Sequence, residues 1–193
     1  MNQPQSDSDK EWVQAVREGK RAVFNKLVLK YQKKVLYLAY DLLGDYEDAK
    51  DVAQDAFIRA YEKIYQFEER SQFSTWLYRI TVNLAMDLHR RRKRRPVESF
   101  EEHFREIEQT KSEDAASQPD ELLQTSAQRH HIDSALQKLS DHQRIAVVLK
   151  YFQHKSSKEI AELLGCSENT VRIHLFRALR NLRKHLEKVQ TAL

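Results

Sequence analysis

The chain holds 193 residues, 32% of them charged, with 33 Lys and Arg against 29 Asp and Glu and a formal net charge of +4. That length fits one or two compact domains, and no apolar run approaches the roughly 18 residues that a bilayer span requires. Residues 1 to 11 are polar, so no membrane insertion and no secretory signal are expected, and a cytoplasmic protein is. The one cysteine, Cys166, excludes an internal disulfide and a cysteine-based zinc cluster, and the three glycines, Gly19, Gly44 and Gly165, leave no glycine-rich phosphate loop. The eight histidines make no metal-ligand spacing and no nucleophile-base motif appears, so no catalytic residue, metal or cofactor is expected.

Apolar residues recur at helical spacing and alternating strand patterns are missing, which predicts an all-α fold. Asp9 is placed as the cap of a short first helix stopping at Gly19. A longer helix runs from about Ala22 to Gly44, with Phe24, Leu27, Val28, Tyr31, Val35, Leu38 and Leu42 on one stripe. Asp45 with Asp48 opens a third, to about Tyr65, whose segment Asp51-Val52-Ala53-Gln54-Asp55-Ala56-Phe57 sets Asp51, Gln54 and Asp55 on one face beside Phe57 and Arg59. From the residues alone, a solvated acidic face explains that pattern better than a contact does.

After a loop at 66–72, a helix is predicted from Ser74 to Arg95, stopped by Pro96. Phe73, Trp76, Leu77, Ile80, Leu84 and Leu88 form its apolar stripe, and Arg79, Asn83, Met86 and Arg90 form a second that leads into six consecutive cations, Arg90 to Arg95. Phe67 and Phe73 with these cations suit an unpaired base and its phosphates. A localisation tag or solvated tail is the alternative for the basic run. Residues 97–125 are acidic and weakly periodic, with a short helical piece expected near Phe100 to Ile107, and read as a flexible acidic linker between two small helical domains, 1–96 and 126–193.

The second domain is expected to hold helices at 126–138 and 141–152, then a pair at 157–164 and 168–188. Ser156 and Glu159 have capping-box spacing, Gly165 suits the exit of the helix between them and the turn, and Ser167 suits the next cap. Ile160, Ala161, Leu163 and Leu164, and then Val171, Leu175, Ala178, Leu179, Leu182 and Leu186, are the buried sets. Two helices joined by such a turn are a C-terminal helix-turn-helix. Its second helix exposes Asn169, Thr170, Arg172, Ile173, His174, Phe176 and Arg177 to a major groove, with Arg172 and Arg177 suited to guanine edges or phosphates.

Three segments in this order resemble the extracytoplasmic-function (ECF) group of bacterial sigma factors. Asp-Val-Ala-Gln-Asp-Ala-Phe at 51–57 is similar to the family's polymerase-binding helix. Phe-Ser-Thr-Trp-Leu-Tyr-Arg-Ile at 73–80, with Asn83 and the arginine run, is similar to its −10 recognition helix, and 139–184 is similar to its −35-reading domain. The resemblance implies that Asp51, Gln54, Asp55, Phe57 and Arg59 dock on core RNA polymerase, which contributes its largest and second-largest subunits and all of the catalysis. It implies a −10 site of Phe67, Ser71, Phe73, Arg79, Asn83, Arg90, Arg91, Arg92 and Arg94, within which the 66–73 loop captures a flipped base. It implies a −35 site of Lys158, Ser167, Asn169, Thr170, Arg172, Ile173, His174, Phe176 and Arg177, so that promoter DNA is opened between two contacts. An anti-sigma factor, often membrane-anchored, is a further implied partner. Ile173 and His174 stand where the family often has a small polar residue and a base, and Ser140 replaces a frequent proline while remaining suited to an N-cap. Promoter elements one and a half to two turns apart are separated by on the order of 60 Å, which a linker of about 28 residues spans only when stretched.

Overall fold

The computed structural model describes residues 7–94 and 132–190, with the side chains of Asp7, Arg94 and residues 186–190 outside the description. The linker, Pro96, the expected piece near Phe100 and the beginning of the helix expected at 126 lie outside the described residues. Those described are helical, with no strand among them. In chain order they form α1 (Asp7–Arg17), a 3-10 turn (Arg21–Val23), α2 (Phe24–Leu43), α3 (Tyr46–Glu62), a second 3-10 turn (Ile64–Gln66) and α4 (Phe73–Arg94). The second unit holds α5 (132–137), α6 (Asp141–Val147), a π-helical segment (Val148–Phe152), α7 (Ser157–Leu164) and α8 (Glu168–Gln190).

In the first unit α2, α3 and α4 pack on one another and α1 lies against α2. The α2 stripe Phe24, Leu27, Tyr31, Val35, Leu38 and Leu42 is buried, with Val28 half-buried beside it. The inward face of α3 is made almost wholly of alanine, Ala49, Ala53, Ala56 and Ala60 with Val52, so its backbone can approach α2 and α4 closely. Gly44 leaves α2 at φ 76°, a left-handed conformation that glycine adopts without steric cost, and Asp45 caps α3 by accepting from the Asp48 amide at 2.8 Å.

Three expectations are corrected here. Asp9 does not cap α1: it lies inside the helix, buried, where its carboxylate accepts from Lys30 at 2.6 Å and from the Tyr31 hydroxyl at 2.5 Å. Burial, and after it the Asp9 contact, raises the Tyr31 hydroxyl far above the ordinary phenol range. Met86 is buried among the helices instead of joining Arg79, Asn83 and Arg90 on the exposed stripe, and Leu179 is 46% exposed instead of core. Met86 turns inward because α4 packs against α2, α3 and α7, whereas Leu179 lies outside the arc of Val171, Leu175 and Ala178 that α8 buries.

In the second unit α6 and α7 pack against α8, burying Ile145, Ala146, Val147, Ile160, Ala161, Leu163, Val171, Leu175 and Ala178. Ser140 occupies the N-cap of α6 in extended conformation, but its side chain makes no capping bond. The expected helix over 141–152 changes register at Val148, and the π-helical segment ends with the Gln153 amide donating to Val148 O. This wider turn lies against α2.

The two units are packed together, and their junction is built from side chains donating to carbonyls at helix C-termini, where the last turn has no partners of its own. Gln137 donates to Leu43 O at 2.9 Å, and Arg144 approaches Leu42 O at 3.5 Å, both at the end of α2. Arg79 on α4 donates to Leu163 O at 2.9 Å and Glu162 O at 2.7 Å, at the end of α7. Gln153 reaches Asp41 at 2.8 Å, and Lys155 lies over the Tyr78 ring.

Candidate nucleic-acid interface

The helix-turn-helix forms as its sequence dictates. Ser156 accepts from the Glu159 amide at 3.2 Å while Glu159 accepts from the Ser156 amide at 2.8 Å, completing the capping box. The Ser156 hydroxyl, donating to Glu159 at 2.7 Å, together with that Ser156 amide holds the Glu159 carboxyl below its usual range. Gly165 ends α7 at φ 64°, and the Ser167 hydroxyl accepts from the Thr170 amide at 3.1 Å. On α8, Asn169, Arg172, Ile173, Phe176 and Arg177 are exposed, as are Lys158 on α7 and Ser167 in the turn, while Thr170 is half-buried. His174 is drawn aside: its ring stacks on His142 of α6 at 5.3 Å, and burial, His142 and Arg177 together lower its imidazole below the ordinary range. Arg172 pairs loosely with Glu168 one turn earlier, at 3.6 Å. Phe176, at 69% exposure, is the most prominent apolar side chain on this face.

Along α4 the expected site divides. Arg79, Asn83, Arg90 and Arg91 are exposed, and Ser71 is half-buried in the preceding loop. Phe67 and Phe73 are not open to a base; they are 4% and 3% exposed and pack edge to face at 5.8 Å. Trp76 joins both, at 5.1 Å from Phe67, and Tyr31 supports Phe73. Their apolar area is better removed from water by one another than by an intermittent ligand, so they form the floor beneath the loop. Arg92 is held by a bidentate ion pair with Asp48 in the first turn of α3, and burial, outweighing Arg92, raises the Asp48 carboxyl. Arg90 pairs with Asp87 at 3.0 Å and lies 3.6 Å from Asp141. The arginine run is therefore partly neutralised by neighbouring acids.

On α3, Asp51, Gln54, Asp55 and Arg59 are exposed on the side away from the alanine face, and Phe57 is half-buried against the core. Position on the helix explains both facts, since the alanines recur at three- and four-residue spacing and the polar residues fill the complementary arc. Among the described residues no cluster of His, Cys, Asp and Glu is arranged to hold a metal ion, and no helix is long and apolar enough to cross a membrane.

His89, half-buried on α4, faces Arg144 and Asp141 across the junction, and burial first, then Arg144, pushes its imidazole below 6.5. The unfolded chain therefore takes up a proton near that pH which the folded chain resists. Stability tied to His89 is complete above this value and is lost as pH falls toward the folded value. Thermal melts at about pH 7.5 and about pH 5.5 should show a larger fall in Tm for the wild type than for His89→Gln. Equal falls would remove His89 from the account.

Sequence comparison decides what these surfaces belong to. The profile of Sigma-70 region 2 matches residues 27–95, and that of Sigma-70, region 4 matches residues 129–182. The RNA polymerase sigma-H factor of Pseudomonas aeruginosa is 35% identical over 94% of this chain and 95% of its own. The ECF RNA polymerase sigma factor SigW of Bacillus subtilis is 35% identical over 92% and 96%. The chain is an ECF sigma factor.

Solved structures agree on the fold. CnrH, solved with the cytosolic domain of CnrY, superposes with a TM-score of 0.68 over 94% of this chain and 99% of that one, at 24% identity. The sigma factor RpoE of Bartonella quintana, solved with the anti-sigma factor NepR, gives 0.58 over 85% and 96%, at 25% identity. This sigma factor is thus a promoter-specific initiation factor for RNA polymerase, with catalysis residing in the core enzyme. Sequence reasoning missed the junction donors Arg79, Gln137 and Arg144, because a side chain that bonds a distant carbonyl leaves no periodicity to read.

Proposed function

We propose that residues 1–96 bind core polymerase and read and melt the −10 element, that 97–125 is a tether, and that 126–193 read the −35 element. The observation that carries this is one chain presenting an exposed acidic helix face, Asp51, Gln54, Asp55 and Arg59, beside two separate basic reading surfaces. The acidic face, with Phe57 behind it, docks on the polymerase. Ser71, Arg79, Asn83, Arg90, Arg91, Arg92 and Arg94 meet −10 DNA, with Phe67 and Phe73 supporting the loop from beneath. Lys158, Ser167, Asn169, Thr170, Arg172, Ile173, His174, Phe176 and Arg177 meet the −35 element, Arg172 and Arg177 providing the base-edge contacts.

The packed arrangement bears on how the two sites are used. Arg79 is bonded to the end of α7, so the −10 helix and the helix-turn-helix are held side by side, whereas their targets lie on the order of 60 Å apart. Reading both elements requires the junction to part and the linker to extend. We extend to this chain the partner class seen with RpoE, an anti-sigma factor, and we place it in the cytoplasm with its polymerase. Transcription on its own genomic DNA by core polymerase with and without this chain, followed by sequencing of the 5′ ends, tests the assignment. New starts sharing two upstream elements are expected; no initiation beyond that of core alone would sink it.

A further inference from the structure

The loop between the second 3-10 turn and α4 makes few bonds of its own. Its flanks are closed by Phe67 N to Ile64 O and Trp76 N to Gln72 O, and within it Arg70 pairs with Glu68. Phe67 packs its inner end on Phe73 and Trp76, and the polar hold on the rest of the protein comes from Arg17, the last residue of α1. The guanidinium donates from Nε to Ile64 O at 3.2 Å and from Nη2 to Phe67 O, and its Nη1 meets the Glu69 carboxylate at 2.8 Å. In return the Tyr65 hydroxyl reaches Arg17 O at 3.4 Å. Glu69 has φ 57°, left-handed and unusual for a residue with a side chain, so its backbone is held there by its surroundings.

Arg17 is itself well anchored. Its helix is pinned to α2 at the other end by Asp9, which binds Lys30 and Tyr31, and Tyr31 packs on Phe73 under the loop. The planar guanidinium presents its donors in a fixed fork, so Phe67 O and the Glu69 carboxylate in the loop are set relative to Ile64 O in the preceding 3-10 turn as well as to α1. Between loop and α1 lies a small cavity of about 40 Å³, lined on the loop side by Phe67, Glu69, Ser71 and Gln72 and on the α1 side by Asp9 and Lys10.

We propose that Arg17, with Glu69, is a specificity-determining positioning residue that sets the conformation of the 66–72 loop and thereby which −10 base this sigma factor accepts. This rests on the assignment of that loop to base capture. Arg17 need not touch DNA; it acts through the loop. A lysine would supply the charge but not the fork.

The test uses the full chain with core polymerase on two template pools, one randomised across the −10 window and one across the −35 window, with transcripts sequenced. Wild type, Arg17→Met and Glu69→Asn are compared, asparagine being chosen because it tolerates the left-handed backbone while being too short to reach Arg17. Both variants are expected to lose base preference about five-fold or more at one or two adjacent −10 positions, with −35 preferences retained. The double variant should lose no more than the worse single one, since both remove one clamp. Unchanged −10 preference in both variants would overturn the proposal, as would a uniform loss of yield that leaves every preference intact. A wild type without any −10 preference would overturn the assignment of the loop itself.

Discussion

Replacing Asp51 and Asp55 together by lysine is expected to weaken binding to core polymerase about a hundred-fold or more while leaving the fold intact. Both residues are exposed at mid-helix on α3, on the arc opposite the buried alanines. Lysine is as good a helix former as aspartate or better, so the melting temperature should stay within about 2 °C. If the partner surface is basic, reversal turns two attractions into like-charge contacts, which cost several kcal/mol across an interface. Titration of fluorescent core polymerase with each variant measures the effect. Retained affinity in the double variant would refute the docking face, and Asp51→Asn with Asp55→Asn should fall between, since it removes attraction without adding repulsion.

The largest loss of stability is expected from Arg144→Leu. Arg144 is wholly buried on α6, donating to Leu136 O and Gln137 O at 3.0 Å each and approaching Leu42 O. Burial brings its guanidinium down to about 10, with Asp141 opposing that shift. It stays charged at neutral pH and satisfies the ends of two helices, one from each unit. Leucine fills much of the volume but takes the guanidinium from Gln137 O and Leu42 O, while Leu136 O keeps the Leu139 amide at 3.1 Å. At about 1–3 kcal/mol for each unsatisfied buried group, partly relieved by relaxation, the variant should lose about 3 kcal/mol and melt roughly 6–12 °C lower. A melting temperature within about 2 °C of wild type would show that water replaces the guanidinium at little cost.

Local features of this protein were legible wherever one residue type answers one backbone need. The Ser156 and Glu159 capping box, Ser167, Gly44 and Gly165 all stand where the sequence placed them, because caps and left-handed exits are decided within four residues. The stripes on α2 and α4 were legible for the same reason, as periodicity encodes one buried face. Met86 departed from it because α4 has neighbours on more than one side, and Leu179 because the arc α8 buries, Val171, Leu175 and Ala178, is narrower than the apolar stripe in its sequence. Phe67 and Phe73 were legible as aromatics near a basic helix, but whether an aromatic floors a loop or faces a ligand depends on Trp76 and Tyr31 arriving from elsewhere. Arg17 and Arg92 were hidden more completely, since their partners are separated from them by dozens of residues and by no recurring spacing.

The hold of Arg79 on the end of α7 has a consequence for affinity. Two weak binding heads on one chain gain avidity only when both can engage at once, and a tether whose heads cannot reach the two sites together contributes no effective concentration. On the domain roles proposed above, the chain with Arg79 bonded to Glu162 and Leu163 would meet DNA as a single-headed ligand. On the same roles, separation of the heads on the polymerase would convert it to a bivalent one, placing promoter affinity in the assembled holoenzyme and not in either domain.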